Sequence, residues 1–377
     1  MKKALALLLA VVMVFTLCAC GAKAEEKPAN AGSPSQDIAN AGSPSQDIAN
    51  AEKPAEAPAA DAKHFKMGLA MNSLQAPAFH AWADYLELRL QYEAEQRGYT
   101  VELITLNAEN DVTKQANDIK DLIAAGCDAI FCPCLDSNAI LQSVSEVHKA
   151  GIPYISYCRE VSKDAVGDQI PDITVNFASE EQAYVGMVEL FKMMKEDGVE
   201  PVKIIDCYGD STDENAHNRE AGLQRAIKEF GYEDVPIVTV GCGRWEHDVC
   251  MQELEPALAA NPDANVLYAS SDFLSTGIQT AMENADMWHK RGEEGHVYMS
   301  TSDMYPIGIT HLVERYNDTA VDQGCYNFAV NAAKSCFDLL EGKEVEPVQL
   351  VLGTVATNDT IEEILATIPL WGNDYAD

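Results

Sequence analysis

The sequence predicts an α/β fold built as two lobes, each a doubly wound parallel sheet. Three observations carry this. From Lys66 onward, short apolar runs alternate with amphipathic stretches of helical period. Many of those stretches are followed at once by glycine, the residue that closes a helix in the left-handed conformation. The rhythm also runs through twice, in a chain of 377 residues, long enough for two domains of ordinary size.

In order, Lys66–Met71 reads as a strand and Phe79–Arg97 as a helix closed by Gly98. Val101–Leu106 is a strand, Val112–Ala125 a helix closed by Gly126, and Ala129–Cys132 a strand. Ala139–Lys149 is a helix closed by Gly151, followed by a strand at Pro153–Tyr157. The second run begins with a helix at Glu180–Lys195, a strand at Val202–Asp206 and a helix at Glu214–Phe230 capped by Gly231. Ile237–Val240, Val266–Ser270, Val297–Ser300 and Ala320–Asp322 are strands. Val249–Ala260, Leu274–Glu283 and Phe328–Leu340 are helices, and Val348–Leu352 is the last strand. Strands alternating with helices at this spacing are βαβ units, which place ligands at the carboxyl ends of the strands. Two such runs side by side leave a cleft between them.

The amino end follows different rules. Lys2 and Lys3 precede an apolar run, Ala4 to Leu17, too short to span a bilayer comfortably. It ends in Leu17-Cys18-Ala19-Cys20, which looks like a bacterial lipobox with Cys20 as the lipidated first residue of the mature chain. The competing reading is an ordinary signal peptide cut nearby. Asn30–Ala39 is then repeated at Asn40–Ala49, followed by a Pro- and Ala-rich stretch through Ala62. With no periodicity and little apolar mass, residues 20–63 are expected to be a disordered tether. No later segment has the length and apolarity of a transmembrane helix.

Charge and cysteines exclude several classes. Twenty-six Lys plus Arg stand against 60 Asp plus Glu, a formal net charge of −34, which repels nucleic acid and anionic headgroups. Of 11 cysteines, setting aside Cys18 and Cys20 leaves an odd number, so at least one thiol is expected to be free outside the cytoplasm. Cys127, Cys132, Cys134 and Cys207 fall in or beside strand-like runs, where a thiol acts as a small core residue. Cys132-Pro133-Cys134 lacks a second paired cluster at zinc spacing, and Asp210 to Glu214 does not fit a calcium loop, so no metal or cofactor is assigned.

Helical phase selects the candidate site. Arg219, Leu223 and Ile227 share one face of their helix, which puts Arg219 on the core side at the amino end, the cleft edge. Phe79 has the same relation to Leu86 and Leu90, and Trp245 precedes Val249 by one turn. Ser271-Asp272 and Asp303 each follow a strand, where Asp272 suits a helix cap and Asp303 a ligand contact. Arginine, aspartate and glutamine offer multidentate hydrogen bonds to neighbouring hydroxyls, and aromatic faces suit a sugar ring. A nucleophile–base pair is missing, as are the Gly-x-Ser-x-Gly, His-Glu-x-x-His and phosphate-loop patterns, and the eight histidines are scattered; the chain reads as a non-enzyme.

These residues resemble the type I periplasmic sugar-binding proteins, the group of the ribose-binding protein and the LacI effector domain. The resemblance covers Phe65 to about Leu352. It rests on Asn72-Ser73-Leu74-Gln75-Ala76-Pro77-Ala78-Phe79, Gly151-Ile152-Pro153 and Cys158-Arg159. It continues through Asn218-Arg219-Glu220-Ala221-Gly222, Trp245, Ser271-Asp272, Asp303 and Gln323. It implies that Phe79 and Trp245 sandwich a ring, that Arg159 and Arg219 donate to hydroxyls, and that Asp303 and Gln323 complete the network. Gln75, Cys158, Ser271 and Asp272 complete the candidate set. It also implies three crossovers forming a hinge, near Asn176, Gln323 and Gly353, with an N-terminal lobe of residues 64–176 plus 324–352. The C-terminal lobe is then residues 177–323 plus 353–377. Ala76, Ala78, Cys158 and Ser271 stand where ribose binders carry larger or more polar groups, which implies a roomier pocket and a ligand larger than ribose or with fewer hydroxyls.

The function expected is that of an extracytoplasmic binding lipoprotein, held to the outer face of the cell membrane through Cys20 alone. It would deliver a sugar or polyol to an ABC permease and its ATPase, closing as a monomer around the ligand. A sensory or chemotaxis receptor on the same fold is the alternative. A LacI-type repressor is disfavoured by the export signal, and a secreted carbohydrate-acting enzyme by the missing catalytic motifs.

Overall fold

The computed structural model describes residues 62–368 and 370–375. The expected signal peptide, Cys20 and nearly all of the tether lie outside the described residues. The first sheet contains β1 (His64–Met71), β2 (Thr100–Asn107), β3 (Ala129–Cys132), β4 (Tyr154–Tyr157) and β5 (Ile173–Phe177). It is joined late in the chain by β11 (Val348–Val351), in the order β11-β5-β4-β3-β1-β2, parallel throughout. The second contains β6 (Ile204–Tyr208), β7 (Ile237–Gly241), β8 (Val266–Ala269), β9 (Tyr298–Asp303), β10 (Thr319–Asp322) and β12 (Val355–Thr357). Its order is β12-β10-β9-β8-β6-β7, parallel except for β12, which runs antiparallel to β10.

Helices cover both faces of each sheet. Around the first lie α1 (Pro77–Gln96), α2 (Val112–Ala124), α3 (Leu141–Lys149) and, from the distal part of the chain, α9 (Cys325–Leu340). Around the second lie α4 (Ser179–Glu196), α5 (Glu214–Phe230), α6 (His247–Ala260), α7 (Ser275–Asn284) and α8 (Pro306–Val313). The chain closes with α10 (Ile361–Thr367) and α11 (Trp371–Asp374). Strands β3, β4 and β8 are buried along their whole length, as parallel strands covered on both faces must be. The closing glycines Gly98, Gly126, Gly151 and Gly231 all take positive φ.

The chain passes from the first sheet to the second after Phe177, returns after Asp322, and crosses again after Val351. Each lobe thus has its own apolar layers: Leu69, Leu86, Phe131, Ile155 and Phe328 in one, and Ile205, Leu254, Leu267, Leu223 and Phe191 in the other. The last turn lies where the two lobes meet. Trp371 joins an apolar cluster drawn mainly from the first lobe, where it meets the ring of Tyr305 from the second at 4.8 Å between centroids, and its Nε1 donates to the carbonyl of Asp303 at 2.8 Å. No described helix is long and apolar enough to cross a membrane.

Candidate functional site

A cavity of about 680 Å³ opens between the lobes at the carboxyl ends of β1, β4, β6 and β9. Its walls carry Gln75, Phe79, Arg159, Arg219, Trp245, Ser271, Asp303 and Gln323, so the fold gathers eight of the ten candidate residues in one place. The remaining two do not line it. Cys158 is fully buried among the core residues of the first lobe, and its carbonyl accepts from Asn215 Nδ2 at 3.1 Å. Asp272 is fully buried too, accepting the backbone N–H of Tyr305 at 3.0 Å. Burial, with Asp303 nearby, pushes the Asp272 carboxyl well above its ordinary range. The cap at this turn comes instead from Ser271, whose Oγ accepts from the N–H of Phe273 at 3.2 Å.

Arg219 is the best-held group. It lies on the inner face of α5 with 2% of its area exposed, and its Nη2 donates to the Oδ1 of Asp303. Its guanidinium plane sits 5.1 Å from the Phe177 ring centroid and 5.7 Å from that of Trp245. Asp303 in turn accepts from Ser271 Oγ, which fixes the carboxylate between a cation and a hydroxyl. Such a pair, held by its own protein partners, spares a ligand the cost of ordering it.

The aromatic walls are fixed as firmly. Trp245 lies over Gly209, where an added Cβ would fall 2.0 Å from the indole, so the close approach requires glycine. The indole Nε1 donates to Asp213 Oδ2 at 3.2 Å. Opposite, Phe79 packs on Trp82 with ring centroids 5.0 Å apart, and Trp82 Nε1 donates to Gln323 Oε1 at 3.0 Å. Accepting that bond leaves the amide nitrogen of Gln323 free to donate. Cys158, Trp245, Asp303 and Met304 all hold positive φ (62°, 61°, 97° and 55°), a conformation that L side chains rarely adopt. Strain of this kind persists where the surrounding structure fixes it, and here it clusters around the cleft.

Sequence reasoning missed Asp213. This aspartate caps α5 through the N–H of Asn215 at 3.0 Å, and its Oδ2 lies 3.2 Å from Arg159 Nε on the opposite lobe. Both side chains are almost wholly buried (8% and 1% exposed), so Asp213 supplies Arg159 with a counter-charge from across the cleft. The signal was a carboxylate at the N-cap six residues before Arg219, read only as part of an acidic turn. Asn215 was missed as well: its Oδ1 accepts from Asn176 Nδ2 at 2.7 Å, tying α5 to the end of β5. Phe177, Phe273 and Tyr305 add to the apolar lining.

A family model described as a periplasmic binding protein domain matches residues 76–344, and the chain belongs to that family. The ribose import binding protein RbsB of Bacillus subtilis (strain 168) is 22% identical over 348 residues, covering 92% of this chain and 96% of the relative. The D-apiose import binding protein of Paraburkholderia graminis is 27% identical over 209 residues, covering 55% of this chain and 62% of the relative. Among solved structures, an ABC transporter periplasmic solute binding protein from Actinobacillus succinogenes with bound D-allose superposes with a TM-score of 0.67 at 21% identity. That match covers 79% of this chain and 99% of the other. A solute binding protein from Bacillus halodurans with bound myo-inositol gives 0.67 at 21% identity, over 82% and 99%. The fold is therefore the two-lobed type I periplasmic binding protein fold, and the relatives are binding proteins, not enzymes.

Proposed function

We propose that this protein is the extracytoplasmic substrate-binding component of an ABC importer, capturing a sugar or polyol between its lobes and presenting it to a membrane permease. The observation that carries this is the pairing of Arg219 with Asp303 beside Trp245, facing Arg159 and Gln323 across one cavity. Forked donors and a fixed carboxylate suit vicinal hydroxyls, and the rings suit the C–H face of a cyclic ligand. The names and bound ligands of its relatives, among them ribose, D-apiose, D-allose and myo-inositol, belong to the same chemical class. Lipidation at Cys20, suggested by Leu17-Cys18-Ala19-Cys20, would keep the binding lobes at the membrane surface beside the permease.

The cavity of about 680 Å³, with Ala76 on its wall and Ala78 buried behind, favours a ligand larger than ribose. Thermal-shift screening against pentoses, hexoses, cyclitols and disaccharides tests the reading, because a ligand bound only by the native state raises its melting temperature. Calorimetry then ranks the hits. Trp245→Ala, which removes a half-buried ring, is expected to weaken the best ligand at least about tenfold, or about 1.4 kcal/mol. No stabilisation by any sugar or polyol would sink the proposal, and selective ribose binding would refute the larger-ligand reading.

A further inference from the structure

We propose that Cys207, Cys242 and Cys250 form a binding site for a single thiophilic, closed-shell metal ion behind the wall that carries Trp245. The three residues come from separate places: the last-but-one residue of β6, the residue that follows β7, and the first turn of α6. Their sulfurs nonetheless lie within 4.8 Å of one another, and all three side chains are fully buried. Among the described residues, they are the one group of three or more His, Cys, Asp and Glu ligand atoms brought this close. Sequence could not foresee it, because Cys207 stands 35 residues before Cys242 and reads as an ordinary core thiol.

Convergence makes these sulfurs different from the protein's other buried thiols. In metal-thiolate centres with bonds of about 2.3 Å, neighbouring sulfurs are about 4 Å apart, which is compatible with the spacing here. An entering ion forms bonds to the three sulfurs and displaces the thiol protons to solvent as it does so. Soft sulfur donors select Cu(I) or Zn(II) over hard cations. Three sulfurs complete a trigonal Cu(I) site, whereas Zn(II) requires a fourth ligand. Occupancy would fix the β7–α6 turn, and with it the indole of Trp245, which packs against the same apolar layer as the three thiols.

The test uses full-length protein, reduced and kept free of oxygen, titrated with Cu(I) against a competing chelator and in parallel with Zn(II). One equivalent of ion is expected to bind, with thiolate-to-metal charge-transfer absorption for Cu(I), a rise in melting temperature, and protection of three thiols from alkylation. Cys250→Ser and Cys207→Ala should each abolish all of these, circular dichroism showing whether each variant remains folded. Failure of both ions to compete with the chelator overturns the proposal. So does peptide mapping of the unreduced protein that finds two of the three cysteines joined as a disulfide. None of these readouts depends on sugar binding, so the proposal stands or falls apart from that of the cleft.

Discussion

Arg219 and Asp303 show why a binding pair can be structural before it is functional. Each is nearly inaccessible (2% and 4% side-chain exposure), and each neutralises the other in a region where an isolated charge is very costly. Replacing Arg219 alone leaves Asp303 as an uncompensated buried carboxylate. Arg219→Met is therefore expected to lower unfolding stability by about 3–5 kcal/mol, measured by urea denaturation. The double variant Arg219→Met with Asp303→Leu should recover most of that loss while still failing to bind ligand. If the single variant is as stable as the parent, the pair contributes nothing and the cleft is held by its apolar walls. Phase alone brought Arg219 to this position in the sequence, because its partners on the helix face are apolar. Asp213 stayed hidden since its role depends on Arg159, 54 residues earlier and on the other lobe.

At the scale of elements, the site depends on how closely α4 and α5 approach. A Cβ on Gly222 would lie 2.1 Å from the carbonyl oxygen of Glu180, so the two helix backbones touch at that point. Gly222→Ala forces them apart and should cost about 1–3 kcal/mol of stability. Because Arg219 lies one turn earlier on α5, the same change should weaken ligand binding, by calorimetry, more than a distant substitution of equal destabilisation does. Equal effects would show that α5 can shift without carrying its arginine. The long helices and the central strands were legible because their apolar period extends over several turns or a whole buried run. Those that escaped are short or serve another purpose. Strand β12 has three residues, α8 has eight and begins at Pro306, and α10 and α11 are shorter still. Strand β5 was obscured by Asn176, a polar residue mid-run whose side chain is spent on Glu160 of its own lobe and on Asn215 of the other.

For the molecule as a whole, the crossings and the chain end govern how the lobes meet. Asp322 closes β10 at the second crossing and accepts the N–H of Gly324 at 2.8 Å, while burial pushes its carboxyl up to about 7. A carboxyl raised above its unfolded value of about 3.9 holds a proton in the folded state that the unfolded chain has lost, so its contribution to stability falls as pH rises from about 4 to 7. Asp322→Asn is expected to remove that decline, so the difference in unfolding free energy between variant and parent grows by one to a few kcal/mol across this window. A constant difference would show that Asp322 titrates normally. The carboxyl-terminal turn acts on closure from outside the crossings. Trp371 donates to the Asp303 carbonyl in one lobe, while Tyr85 of α1 donates to Asp374 at 2.6 Å and Tyr375 donates to Asp84 at 2.9 Å in the other. Through the carboxyl-terminal turn these bonds tie one lobe to the other, so they are expected to favour this arrangement over one in which the lobes move apart. Trp371→Ala should weaken binding of the best ligand by about tenfold, equivalent to about 1.4 kcal/mol, through loss of that bias and not of any ligand contact. Small-angle scattering should then show a larger radius of gyration for the ligand-free variant than for the parent. Unchanged affinity with unchanged dimensions would mean that the turn rests on the closed form without favouring it.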